Sequence, residues 1–193
     1  MAVNMLMYAR PALEKDVPNM IRIINSYETM YGIDLTTSGL RDKHIQLVTD
    51  YAPPTEAAQV IVAVDEEENV LGLCLQSFTG KNWILGFCYI RQLADKNQYN
   101  ASKIGGLILD KLCECAEERG VTKFYYAVRD SSNKRLALTL TATDMVNQRY
   151  DIIDIEKIPP MTKTTNELTA KYILSTTDGL NRKPIIIRCG YLK

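Results

Sequence analysis

Three strand-like segments, VIVAVD (60–65), VLGLCLQSF (70–78) and WILGFCYIRQLA (83–94), follow one another with only short turns between them. They are rich in β-branched and aromatic residues, the types that fit a pleated and half-buried surface. A parallel neighbour would need a crossover of about a dozen residues or more, whereas EEEN and TGKN offer only hairpin lengths. The middle of the chain is therefore constrained to an antiparallel meander, and everything else must be arranged around it.

Before the meander, MLMYARPA reads as a first strand ending at Pro11. Asp16 can cap a helix with Pro18 in its first turn, and Met20, Ile23, Ile24, Tyr27, Met30 and Tyr31 recur at helical spacing until Gly32. A second helix is expected within Ser38 to Tyr51, carrying Leu40, Ile45, Leu47 and Val48, and the prolines of YAPPTE end it. After the meander, Ser102 is the expected N-cap of a helix whose Ile104, Leu107, Ile108, Leu112, Cys115 and Ala116 form one apolar face, with Gly120 at its end. KFYYAV (123–128) is then a fifth strand, joined through that helix by a right-handed parallel crossover. The expected class is α/β (α+β), with a mixed, mostly antiparallel central sheet flanked by helices.

This order of elements resembles the GCN5-related N-acetyltransferase (GNAT) family of acyl-CoA N-acyltransferases over roughly Met5 to Tyr150. The most specific piece is LADKNQYNASKIGGLILDKLCECAEERGV (93–121), set beside a family pattern such as LAVxPxYRGxGIGxxLLxxxxxxAxxxG. Leu93, Ala94, Tyr99, Ile104, Gly105, Leu109, Ala116 and Gly120 match its spacing. The resemblance implies a domain over 1–150 that binds acetyl-CoA, and a 151–193 segment that completes the sheet or contacts a partner.

In the family, the loop before this helix holds the pyrophosphate through backbone amides, in a signature of Gln or Arg, two residues, Gly, one residue, then Gly or Ala. Gln98 matches the first position, but Ala101 and Lys103 stand at the two small ones. A side chain there restricts φ and blocks close approach of backbone to phosphate. Two readings of Lys103 follow: its ammonium pairs with the phosphates while Ser102 adds a hydroxyl, or it extends into solvent from a helix that binds nothing. The cofactor-binding set implied is Gln92, Leu93 and Ala94, whose backbone would hold the pantetheine arm, then Gln98, Ala101, Ser102, Lys103, Ile104, Gly105 and Gly106, with Asn133 from the following segment.

The catalytic side departs further. Acyl transfer to an amine needs the amine's proton removed and the departing thiolate protonated. The family draws its acid from a tyrosine in a setting like NxxAxxLYxxxGF, where this chain reads NKRLALTLTATDM (133–145). Asn133 fits, but threonines take the tyrosine's place, and a threonine hydroxyl is too weak an acid to replace it unaided. Tyr89, Tyr125 and Tyr126 could face a central cleft or simply pack as strand aromatics; Tyr89 is nominated as the catalytic candidate.

Other function classes are limited by composition. Lys plus Arg and Asp plus Glu both number 23, so net charge gives no reason to expect nucleic acid or a membrane as partner. No apolar run approaches bilayer length and the start shows neither basic leader nor cleavage-like site, so a cytoplasmic protein is expected. The five cysteines are read as reduced buried thiols, and His44, the one histidine, sits in the exposed-looking RDKHIQ, so no metal centre is expected. Beyond residue 150, RYDIIDIEKI reads as a long strand and YILSTTDGLNRKPIIIRCGYLK as strand, turn and strand. Two functions stay open: N-acyl transfer from acetyl-CoA to a small-molecule or protein amine, or a GNAT-fold protein without chemistry that serves a homo-oligomer or larger assembly, such as a virus or phage particle (a virion).

Overall fold

The computed structural model describes residues 6–30, 33–37, 39–91, 101–129, 150–158 and 185–193. The meander forms as its turn lengths require. Strand β4 (Ala58–Asp65) pairs antiparallel with β5 (Val70–Thr79), and β5 with β6 (Asn82–Ile90). Strand β1 (Met7–Pro11) joins the free edge of β4. Helix α3 (Ala101–Glu118) leads to β7 (Lys123–Arg129), which lies parallel to β6. Two further strands, β8 (Tyr150–Ile158) and β9 (Ile185–Leu192), extend the same sheet to the order β1-β4-β5-β6-β7-β9-β8. The last strand in sequence is thus inserted between β7 and β8, antiparallel to both. The strand and turn read from sequence before β9, in YILSTTDGLNRK, lie outside the described residues.

Every residue of β4 is buried, which its unbroken apolar run anticipates once both faces of the sheet are covered. The period of two sorts the side chains into two layers. Val60, Val62 and Val64 face helices α1 (Val17–Asn25) and α2 (Leu40–Asp50), together with Leu73, Phe87 and Tyr89. Ile61 and Ala63 face α3, together with Leu71, Trp83 and Leu85. One buried polar link crosses the second layer: Gln59 Nε2 donates to Gln76 Oε1 at 2.7 Å, and Gln76 Nε2 donates to the Leu112 carbonyl of α3 at 2.9 Å.

Helix ends follow local chemistry. Gly120 adopts φ +70°, and the amides of Gly120 and Val121 return to the carbonyls of Glu117 and Ala116, so α3 closes in the left-handed turn that glycine makes without strain. It already includes Ala101, two residues before the start that a cap at Ser102 implies, so Ser102 lies inside the helix rather than at its cap. Helix α1 begins at Val17 with Pro18 in its first turn, but it stops at Asn25, well short of the Tyr31 that apolar spacing suggested. Ser26 Oγ donates to the Ile23 carbonyl, a local bond that competes with the helical ladder, and a short ribbon of β2 (Thr29–Met30) and β3 (Ile33–Asp34) follows.

A charged cluster fixes where α1 starts. Arg10 of β1 grips both oxygens of Asp16, at 2.7 and 3.0 Å, and reaches Glu68 at 2.7 Å. Lys15 and the Tyr8 hydroxyl also bond Glu68, which sits at φ +64° in the turn between β4 and β5. These partners, led by the Tyr8 hydroxyl and then Arg10, hold the Glu68 carboxyl down to about 2 from its ordinary 4.5. A depressed folded-state pKa contributes stability that is present above the unfolded value and lost as pH falls toward the folded one. Glu68→Gln is therefore expected to flatten the fall in stability between pH 4.5 and about 2, read as urea midpoints at each pH against the parent chain.

Candidate functional site: the parting of two strands

The parallel pairing of β6 with β7 is short. It runs through Asn82–Lys123, Trp83–Phe124 and Ile84–Tyr125 only, although β7 goes on to pair with β9 as far as Arg129. Past Ile84, β6 keeps β5 on one side and has no strand neighbour among the described residues on the other. The cause lies in the β5–β6 register. Cys74 faces Cys88 and Gln76 faces Leu85, so Gly86 and Phe87 together stand opposite the single residue Leu75. Such a bulge bends the strand that carries the extra residue and increases its twist. It begins within two residues of the last β7 pair, so it turns β6 away from a strand that β9 holds in place.

Glycine is needed at the bend. A Cβ on Gly86 would lie 3.0 Å from Leu75 Cβ and 3.1 Å from the Leu75 carbonyl oxygen. Beyond it the pairing is regular again. Arg91 N–H donates to the Leu71 carbonyl at 2.7 Å, and the alternation of an antiparallel ladder then directs the Cys88 and Ile90 amide groups away from β5, to the open side.

Helix α3 starts beside this opening. Its Ile104 and Ile108 come within 2.9 and 3.1 Å of where a Cβ on Gly72 would be, as does Ile90 at 3.1 Å, so Gly72 lets the first turns seat closely over the end of the β5–β6 pair. The amides of a helix's first turn have no partners within the helix and carry the positive end of its dipole. A parted strand edge and a helix start thus meet at one end of the sheet.

On the opposite layer, the segment after α1 is tied to the unpaired half of β6. The Tyr27 hydroxyl donates to the Ile90 carbonyl, and the Arg41 guanidinium donates to the Tyr27 carbonyl. Tyr89 is fully buried, with its hydroxyl 2.7 Å from His44 Nδ1 and its ring edge-on to Tyr27 at 5.1 Å. Burial pushes the Tyr89 phenol well above its ordinary range, so the hydroxyl stays protonated at neutral pH. His44 in turn stacks on Phe87 at 3.9 Å.

No family model matches the sequence, and no curated protein does. Solved structures match almost the whole chain. The acetyltransferase of GNAT family from Streptococcus pneumoniae superposes with a TM-score of 0.58 at 13% identity, covering 97% of this chain and 100% of that one. A GCN5-related N-acetyltransferase from Kribbella flavida gives 0.59 at 14%, covering 95% and 96%. The PaiA N-acetyltransferase from Thermoplasma acidophilum, solved in complex with coenzyme A, gives 0.56 at 12%, covering 95% and 98%. The chain has the GNAT fold.

Within that fold, the residues singled out from sequence are distributed unevenly. Ala101 and Ser102 open α3, Lys103 is exposed on its first turn, Ile104 and Gly105 are buried against the sheet, and Gly106 is half-buried. Gln92, Leu93, Ala94, Gln98 and Asn133 lie outside the described residues. Tyr89 does not present its hydroxyl to an open cleft, and Tyr125 and Tyr126 are buried too. The expectation that His44 is exposed is corrected: it is fully buried, because Leu40, His44 and Val48 form the inner stripe of α2. That spacing of four was the signal available in sequence, masked by the charged neighbours Arg41, Asp42 and Lys43. Tyr27 was missed for a different reason, since its apolar spacing looked helical when its ring and hydroxyl actually serve β6. Among the described residues no group of three or more His, Cys, Asp or Glu side chains is placed to hold a metal, and no helix is long and apolar enough to cross a membrane.

If the bulge opens the GNAT cleft, filling it should be costly. Gly86→Val is expected to destabilise the chain by about 1–3 kcal/mol through overpacking against Leu75, measured as a lowered urea midpoint. Faster amide exchange should be concentrated in β6.

Proposed function

We propose that this chain is an acyl-CoA-dependent N-acyltransferase, with acetyl-CoA as donor and an amine as acceptor. The observation that carries the reading is the departure of β6 from β7 after Ile84, next to the start of α3. Acetyl-CoA, when bound, supplies an activated acyl group as a thioester. The α3 amides from Ala101 onward would hold the diphosphate, because anions are favoured at a helix start where unpaired N–H groups converge. Lys103, exposed on that turn, adds a positive charge, and Ser102 adds a hydroxyl, in place of the close backbone approach that small residues would give. Gln98 would belong to the loop before α3 and Gly105 and Gly106 to the helix turn behind it, and Gln92 to Ala94, with the outward amides of Cys88 and Ile90, would hold the amide-bearing arm. Asn133 is assigned to the cofactor side on resemblance alone.

We assign Tyr89 a positioning role. Its hydroxyl is engaged by His44 and its ring by Tyr27, so it holds the unpaired half of β6 at a fixed distance from α2. Proton movement at the acceptor amine is left to water, in keeping with the missing tyrosine after β7. The alternative, a GNAT-fold component of a virus or phage particle, draws no support from the solved structures named above.

Calorimetric titration with acetyl-CoA tests the main reading. Micromolar binding is expected, abolished when Ser102 and Lys103 are both replaced by glutamate; no binding at millimolar cofactor would sink it. Tyr89→Phe separates the two roles for that residue. Stranding the buried Nδ1 of His44 is expected to cost about 1–3 kcal/mol of stability, with turnover of a responsive amine changed only a few-fold. A hundredfold loss of turnover at unchanged stability would instead place Tyr89 in the chemistry.

A further inference from the structure

A cavity of about 250 Å3 lies on the α1 side of the sheet, at the end where β5 begins and β6 finishes. Its floor is apolar, made by the buried Ile23 and Val70. Its walls carry Asn19, Arg22 and Ser26 from α1 and its end, Asn69 from the turn before β5, and Arg91, the residue that follows β6. Positions 19, 22 and 26 recur at intervals of three and four, so α1 turns them all to the same side.

The two arginines differ from the other arginines whose side chains are described. Arg10 is held by Asp16 and Glu68, Arg41 by the Tyr27 carbonyl, and Arg119 by the carbonyls of Thr55 and Glu56 while lying over Phe78. Neither Arg22 nor Arg91 has a carboxylate or carbonyl partner for its guanidinium among the described residues. On the Asn69 side, Asp65 accepts the amides of Glu67 and Asn69 and the Asn69 side-chain N–H, and Glu67 accepts from that same side chain at 3.5 Å. Two planar forks of N–H donors therefore line one small apolar-floored space whose described lining residues include no acid. That is the donor geometry that carboxylates and phosphates satisfy in pairs of parallel bonds.

We propose that this cavity is an oxyanion subsite, taking the carboxylate or phosphate end of a small ligand between Arg22 and Arg91. Its size fits such a group with a few attached carbons, being below the roughly 300–1,000 Å3 usual for drug-sized ligands. The cavity opens in the layer of α1, whereas α3 and its first-turn amides belong to the other layer, so the anion it takes is distinct from a diphosphate at α3. Arg91 directly continues the half of β6 that has no β7 partner, which puts the subsite on the strand that borders the cleft. Identifying the anion as part of the acceptor amine rests on the acyltransfer reading above; the affinity for oxyanions does not.

The test uses the full chain at low ionic strength, because the two guanidinium groups are exposed and salt within a Debye length of about 8 Å weakens them. Inorganic phosphate and succinate are titrated separately by calorimetry, and acetyl-CoA is titrated on the same proteins. Saturable binding of at least one anion is expected, weakened tenfold or more by Arg22→Gln and by Arg91→Gln, with acetyl-CoA affinity unchanged. Preference for phosphate or for succinate tells a tetrahedral from a planar oxyanion, and either supports the subsite. Absence of saturable binding to both anions, or binding that survives the double variant, overturns it. Loss of acetyl-CoA affinity in the arginine variants would overturn it as well, by moving those residues to the cofactor. Anion binding without any acetyl-CoA binding leaves the subsite standing and removes only the acyltransfer reading.

Discussion

The rest of the molecule depends on one extra residue in β6. With Gly86 and Phe87 both opposite Leu75, β6 must bend, and it bends just past its last contact with β7. Neither neighbour can follow. Strand β5 is held by β4 through seven paired positions, and β7 is held by β9 over its whole length from Lys123 to Arg129. The sheet therefore stays continuous at one end and divides at the other. A bulge in an edge strand would only have changed its twist; in a strand held on both sides it opens a gap.

Packing on the two faces keeps that gap from closing. The first layer brings α2 against β6 through His44, Phe87 and Tyr89, while Tyr27 takes the Ile90 carbonyl. The second seats α3 over Gly72 and secures it by the Gln59–Gln76–Leu112 link. Trp83, Phe124 and Tyr150 close the joined end, stacked and edge-on at 4.6 and 5.1 Å. Strand β9 can pass there because Gly190 leaves room for the Phe124 ring, which would otherwise lie 2.0 Å from a Cβ. Aromatic packing thus holds both ends, around Trp83 and Phe124 where the sheet is joined and around Phe87 and Tyr89 where it parts.

How far the sequence revealed this depended on the range of each interaction. Strands β4 to β6 were legible because EEEN and TGKN leave no choice but hairpins, and α3 was legible from its apolar stripe and Gly120. The end of α1 was not, because Ile23, Ile24 and Tyr27 keep helical spacing for two unrelated reasons, core burial and contact with β6. His44 was hidden by the charges beside it. The bulge left only a glycine among apolar residues, and nothing local distinguishes that from the Gly72 two strands' length away, whose role is to admit a helix. The pairing of β9 with β7 joins residues more than fifty apart in the chain, and no local pattern encodes it.

The equal numbers of acidic and basic residues bear on the site in a way that net charge conceals. Fields act over about a Debye length, so a neutral chain can still hold strongly positive pockets if its acids are committed elsewhere. Here Asp16 and Glu68 are bound by Arg10, and Asp65 is met by backbone and Asn69 donors, so among the described residues no acid lines the cavity of Arg22 and Arg91. On the proposed reading the same logic applies to Lys103 at α3, where charge would stand in for glycine. A loop that wraps phosphate closely depends on geometry and is insensitive to salt; one that attracts it with an exposed ammonium depends on charge and weakens as ionic strength rises. Substituting one for the other therefore changes the conditions under which the cleft can be occupied, without requiring that the cleft be lost.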